Sequence, residues 1–283
     1  MTSLTNKIEI ITAENCGFCF GVRKAVNMLF KEIELSRINN TRIYLFGKII
    51  HNNSFIEELT AKGLIIIDDA LIDDFKGYEF GENSTVVIRA HGIPKKVLEY
   101  LRDIQKEKNI KIVDATCECV KRMHGIAGEN TDCETLTLIF GNKNHPEIKA
   151  LESYVNGGKE IYKDFDELKS SFAGIKNYKK LIILVQTTHN IKDYIKCKNY
   201  ILEISGAEIL FFDTICSATE KRQAEAELLS KTSDIMIVVG GRNSSNTVKL
   251  YEICRKNCAN SFIVETSEQL PLNIFKNLIK KNP

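Results

Sequence analysis

The chain has 283 residues, of which 43% are hydrophobic and 27% charged, enough for two or three ordinary domains with a buried core in each. Lys+Arg 39 against Asp+Glu 37 leaves a formal charge of +2, a balance that asks for neither nucleic acid nor an anionic membrane surface as partner. No apolar run is long enough to span a membrane, and the N-terminus lacks the features of a signal peptide, so a soluble cytoplasmic protein is expected.

Short apolar strands alternate with amphipathic helices along the whole chain. A strand over 8–13 leads through ENCGFCFG to the helical pattern VRKAVNMLFKEIE. Strands over 42–47, 85–90 and 110–115 follow, each succeeded by a polar turn and a helix. The same unit recurs at 136–141, 181–186, 208–213 and 234–241, with shorter strands at 64–68, 160–164 and 261–265. Strand-helix alternation predicts an α/β architecture with parallel sheets. The near-continuous Ile/Val/Leu runs suit strands covered on both faces.

Nine cysteines are an odd number for a compartment that keeps thiols reduced, so some are candidates for metal ligands or redox groups. Three of them, Cys19, Cys117 and Cys216, each follow a strand and precede a helix, 98 and 99 residues apart, and two share the frames Asp114-Ala-Thr-Cys117 and Asp213-Thr-Ile-Cys216. This is an internal repeat. It predicts three similar parallel-sheet α/β lobes related by a pseudo-threefold axis: 14–114, 115–212, and 213–283 with 1–13 joining the third. Only 67 residues follow Cys216, so the third lobe is expected to be small or to stop before its last strand.

Ligands of open α/β sheets bind beyond the carboxyl ends of the strands. The turns at those ends carry Cys19, His51, His91, Cys117, His145-Pro-Glu147, Thr187-Thr188, Cys216 and Ser244-Ser245-Asn246. Three thiolates from three lobes could hold a metal centre with one position open for substrate; all-thiolate ligation favours zinc or an iron–sulfur cluster. Three imidazoles, several hydroxyls, an Asn amide and helix N-termini suit a phosphate. Glu147, the carboxylate beside His145, is the natural proton donor. Other thiols read differently. Cys16-x-x-Cys19 alone could be a redox dithiol or half a zinc site, whereas Cys254 and Cys258 fall in a helical segment where they would pack. Cys119, Cys133 and Cys197 read as ordinary buried or surface thiols, and His124 as structural.

The stretch Gly17-Phe-Cys19-Phe-Gly-Val22, with Arg89-Ala-His91-Gly92, Asp114-Ala-Thr-Cys117, His145-Pro-Glu147, Gln186-Thr-Thr188, Thr214-Ile-Cys216-Ser-Ala-Thr219 and Gly240-Gly-Arg-Asn-Ser244-Ser-Asn246, resembles the motifs of the 4-hydroxy-3-methylbut-2-enyl diphosphate reductase family, in order, over about residues 8–265. That family catalyses the last step of the non-mevalonate isoprenoid pathway. The resemblance implies three lobes around one 4Fe–4S cluster held by Cys19, Cys117 and Cys216, whose open fourth iron binds the substrate's allylic hydroxyl. It implies a diphosphate held by His51, His91, His145, Ser244, Ser245 and Asn246, with Thr187 at the hydroxyl end and Glu147 delivering protons. The products would be isopentenyl and dimethylallyl diphosphate, and the electron donor a ferredoxin or flavodoxin. The family continues into a further strand and a Ser-bearing phosphate turn that this chain is expected to lack. Two rivals are a quinolinate synthase-like iron–sulfur lyase, against which the His-Pro-Glu and Ser-Ser-Asn turns speak, and an inactive or redox-sensing iron–sulfur protein.

Overall fold

The structure, a computed structural model, describes residues 8–50, 52–68, 75, 78–172 and 178–274. Strands β1 (Ile43–Phe46), β2 (Leu64–Ile67), β3 (Thr85–Ile88) and β4 (Lys111–Asp114) form one parallel sheet in the order β2-β1-β3-β4. Strands β5 (Thr135–Phe140), β6 (Gly158–Tyr162), β7 (Lys180–Val185) and β8 (Glu208–Phe211) repeat that order as β6-β5-β7-β8. Strands β9 (Met236–Val239) and β10 (Ser261–Val264) make a parallel pair. The helices are α1 (Phe20–Asn39), α2 (Asn53–Ala61), α3 (Lys95–Glu107), α4 (Glu118–Asn130), α5 (Pro146–Glu152), α6 (Phe165–Ser171), α7 (Ile191–Ile204), α8 (Ser217–Ser230) and α9 (Ser245–Asn257).

The continuous apolar runs are explained by burial on both faces. Side chains of a strand alternate between faces. On β1, Ile43 and Leu45 enter a cluster with Ala25, Leu29 and Leu59 of α1 and α2, while Tyr44 and Phe46 enter another with Val97 and Leu101 of α3. On β7, Leu181, Ile183 and Val185 pack toward Tyr194 and Ile201 of α7, and Ile182 and Leu184 toward Met123 and Ala127 of α4. No strand face there needs polar cover, so an alternating pattern would be misplaced.

Two sequence expectations change. The segment 8–13 is not a strand: it runs extended without a ladder, with Ile10 86% and Ile11 60% exposed. A strand exists only through a hydrogen-bonded neighbour, and among the described residues none pairs with this segment. The 234–241 run is likewise not covered on both faces, since of β9 only Val238 is buried and Val239 is 73% exposed. Helix α6, capped by Asp164, which accepts from Glu167 N at 3.0 Å, was not foreseen. Its seven residues are too few to show a period.

A thiol-lined candidate active site

Cys19, Cys117 and Cys216 are the N-cap residues of α1, α4 and α8, and none uses its side chain to cap. An N-cap side chain ordinarily accepts from the helix's orphan N–H groups; these thiols leave that duty undone and turn elsewhere. The backbone equivalence is close. Each cysteine carbonyl accepts from the residue four ahead, Arg23, Lys121 and Glu220. Cys117 N donates to Ala90 O at 3.0 Å and Cys216 N to Thr187 O at 3.1 Å. All three thiols line one cavity of about 570 Å³.

The thiols sense one another. Burial pushes the Cys117 thiol up, and the charges of Cys19 and Cys216 add to that, against the backbone hydrogen bonds from Cys119 and Val120 that pull it down. Three bare thiolates would repel; a cationic centre between them relieves the repulsion. The approach from α1 is tight. A Cβ built on Gly21 would stand 2.5 Å from Cys117 Sγ, so the second residue of this helix leaves the thiol its space only as glycine.

The same cavity is lined by His91, His145, Glu147, Thr187, Ser244, Ser245 and Asn246. The structure therefore brings together every site residue expected from the sequence except His51, which lies outside the described residues; its neighbour Asn52 caps α2 and lines the cavity. His145 caps α5, its Nδ1 accepting from Glu147 N at 3.2 Å, which leaves Nε2 as the nitrogen that can carry a proton. His91 meets His145 edge to face at 5.3 Å between ring centres. The turn that carries His91 is set by Gly92 (φ +74°), where a Cβ would stand 2.8 Å from His124 Cε1. His124 stacks on Tyr154 at 4.2 Å, and burial lowers its pKa to about 4. It is a neutral packing group at neutral pH, as the sequence reading had it.

Glu147 is 2% exposed. One carboxylate oxygen accepts from Thr187 N at 2.7 Å and the other from Thr187 Oγ1 at 2.8 Å. Burial pushes this carboxyl up, and the two bonds from Thr187 oppose the shift without cancelling it. A carboxyl raised in this way and bonded to a hydroxyl that lines the same cavity is suited to hold a proton there. Across the cavity, Thr188 Oγ1 donates to Ser245 Oγ at 2.9 Å, joining the turn after β7 to the start of α9. Ser244 caps α9, so the exposed N–H groups of a 13-residue helix face the same space and suit an anion.

One feature escaped sequence reasoning. The loop before Cys19 is gripped by α8. Arg222 Nε donates to Asn15 O and Arg222 Nη2 to Gly17 O, while Glu225 accepts from Glu14 N, Asn15 N and Asn15 Nδ2. These partners are 205 to 211 residues apart in sequence, beyond the reach of any local pattern. Arg222→Ala removes two charge-assisted bonds and is expected to cost about 1.5–3 kcal/mol, seen as a fall in Tm and in iron bound per chain after anaerobic reconstitution. Unchanged values of both would show that the loop holds itself. His189 is buried, with Nε2 3.0 Å from Asp193 Oδ2, and does not line the cavity.

Parallel sheets whose strand ends open onto one cavity of thiols, imidazoles and a buried carboxyl define an α/β enzyme with its site at the carboxyl ends of its strands. Within that class the chain belongs to the LytB protein family, whose profile matches residues 10–281. It is 34% identical over 269 residues to the 4-hydroxy-3-methylbut-2-enyl diphosphate reductase of Caldanaerobacter subterraneus subsp. tengcongensis, covering 95% of this chain and 88% of that one. It is 38% identical to the enzyme of that name from Nitratiruptor sp., covering 95% and 89%. Among solved structures it is similar to the E-1-hydroxy-2-methyl-but-2-enyl-4-diphosphate reductase from Plasmodium falciparum, with TM-score 0.75 and 28% identity over 92% of this chain and 77% of that one. It is also similar to an (E)-4-hydroxy-3-methyl-but-2-enyl diphosphate reductase described as the terminal enzyme of the non-mevalonate pathway, with TM-score 0.63 and 32% identity over 94% and 89%. Among the described residues no helix is long and apolar enough to cross a membrane.

Proposed function

We propose that the chain removes the allylic hydroxyl of (E)-4-hydroxy-3-methylbut-2-enyl diphosphate as water, taking up two electrons and two protons and giving isopentenyl and dimethylallyl diphosphate. The observation that carries this reading is the cavity itself. Three N-cap thiols spared from capping share it with a buried Glu147–Thr187 pair and a phosphate-suited rim.

The thiols suit an iron–sulfur cluster better than zinc. Among the described residues, no three His, Cys, Asp or Glu side chains converge as one ion requires; ligands spread around a cavity fit a polynuclear centre. Cys19, Cys117 and Cys216 would hold one 4Fe–4S cluster, with three protein ligands and one iron open. Bound there, the cluster supplies the two electrons and a Lewis-acidic iron for the departing oxygen.

The remaining work falls to the chain's own groups. His91, His145, Ser244, Ser245 and Asn246 hold the diphosphate, with His51 assigned to the same task. The His145 Nε2 proton and the α9 N–H groups meet its negative charge. Thr187 Oγ1 contacts the hydroxyl end and relays protons from Glu147. The exclusion of water around the 2%-exposed Glu147 keeps that proton from leaking. A dicarboxylate chemistry of the quinolinate synthase kind would leave the His-Pro-Glu and Ser-Ser-Asn turns unexplained.

The lobes proposed are 14–114, 115–212, and 213–283 with 1–13, arranged about a pseudo-threefold axis through the cluster. Their support is the repeated sheet order β2-β1-β3-β4 and β6-β5-β7-β8, with β4 leading to Cys117, β8 to Cys216 and 8–13 to Cys19. The grip of α8 on residues 14–17 agrees with joining the N-terminal segment to the third lobe. A ferredoxin or flavodoxin is the electron donor this reading expects.

The test is anaerobic reconstitution with iron and sulfide. A brown protein with about four irons per chain that consumes the allylic diphosphate with a reduced one-electron dye is expected, and Cys19→Ser, Cys117→Ser and Cys216→Ser should each lose the cluster. An intact cluster in the three variants would overturn the ligand assignment. A full cluster without turnover would overturn the reaction.

A further inference from the structure

A fourth thiol lines the cavity. Cys119, at the second position of α4, is exposed and lies within electrostatic reach of Cys117, Cys216 and Cys19. The other five cysteines stay outside the lining, including Cys16, which the Cys-x-x-Cys spacing had singled out. Cys119 is thus not an isolated surface thiol but the fourth member of a thiol set. Its backbone sits at the first turn of a 13-residue helix, two residues from the N-cap thiol of Cys117.

We propose that Cys119 supplies a fourth thiolate to the metal–sulfur centre while the substrate site is empty, and gives that position up when the allylic alcohol enters. The proposal rests on the iron–sulfur reading above. Three protein thiolates leave one iron facing solvent. A thiolate is a softer ligand than water and matches iron in a sulfur cage. Cys119 is tethered two residues from a permanent ligand, so its local concentration is high without any diffusional encounter. The exchange is redox-neutral: the thiol gives its proton to solvent, a sulfur–iron bond forms, and the solvent molecule in that position leaves. Substrate reverses it, with the thiolate taking a proton back. Its helical position gives Cys119 a short swing rather than a loop rearrangement, and its exposure leaves that swing unhindered. Such a device would keep the idle centre closed to oxidants and slow the loss of iron.

The experiment compares Mössbauer spectra of the anaerobically reconstituted full chain as wild type, Cys119→Ala and Cys16→Ala, without substrate. Wild type and Cys16→Ala should show four equivalent sulfur-ligated irons. Cys119→Ala should show about one iron in four with a distinct, oxygen-ligated signature. Adding the allylic diphosphate to wild type should bring out that same distinct iron. Iron release to a chelator should be faster from Cys119→Ala and unchanged in Cys16→Ala. Identical spectra for wild type and Cys119→Ala overturn the proposal while leaving the reductase reading in place. Failure of the wild type to assemble any cluster removes both.

Discussion

Glu147→Gln is expected to bind the allylic diphosphate normally and to turn it over roughly 10²–10⁴-fold more slowly, the contribution of a positioned acid. Gln keeps the shape of the side chain and can still accept from Thr187 N, so the packing around residue 147 survives. What disappears is the proton available to Thr187 Oγ1 at 2.8 Å. The measurement is kcat against KM with a one-electron dye: kcat falls and KM stays. Normal turnover would reassign the donor. The pH dependence has a fixed sign. Burial raises the folded carboxyl above its ordinary 4.5, so the protonated acid persists to higher pH and kcat declines as pH rises through that raised value. In Glu147→Gln this limb should vanish. Stability follows the same group. Below 4.5 the carboxyl is neutral in folded and unfolded chains alike. As pH rises from there to the raised folded value, the unfolded chain gives up its proton first and stability falls. Gln carries no such slope, so its Tm should exceed that of wild type at neutral pH.

Gly21→Ala is the second large effect, and its two readouts move in opposite directions. Alanine is a better helix residue than glycine by up to about 1 kcal/mol, so the cluster-free protein should be as stable as wild type or more so. The new Cβ, however, would fall 2.5 Å from Cys117 Sγ, a distance that real contacts do not reach. The thiol sits at the end of a side chain with one free torsion, and it yields by turning away. The fold absorbs that at little cost, but the cavity loses one of the three thiols proposed to hold the cluster. Iron bound after reconstitution should drop to near zero while the circular dichroism spectrum stays native. Full iron content in this variant would mean that α1 and Cys117 separate when the centre assembles.

Legibility in the sequence followed the range of each interaction. The strands of the two four-stranded sheets announced themselves because Leu45, Val87, Leu138 and Ile183 are buried whichever way they point, and such runs need no distant information. Cys19, Cys117 and Cys216 were found through the repeat: each stands at the junction of an extended segment and a helix, a local signature that recurs at a constant interval. The segment 8–13 has the composition of a strand, yet composition cannot supply the neighbour that a ladder requires. Arg222 and Glu225 act on backbone more than 200 residues away. Gly21 reads as one more glycine until Cys117 Sγ is placed beside it. Cys119 looked like an ordinary thiol for the same reason, since only the folded chain shows which way the first turn of α4 faces.

The grip of α8 on the first cysteine loop has an evolutionary reading. Arg222 holds carbonyl oxygens of residues 15 and 17, and Glu225 takes mostly N–H groups of residues 14 and 15. A clasp that fastens to main chain is nearly blind to the side chains it passes over. Position 16 can therefore drift without moving Cys19, and a cysteine there needs no purpose to be tolerated. The freedom is one-sided: the clasping residues cannot drift, because a single helix both carries Cys216 and fixes where Cys19 begins. Substitutions should accumulate at position 16 and be purged from Arg222 and Glu225, so the history of this corner would be written unevenly on its two partners.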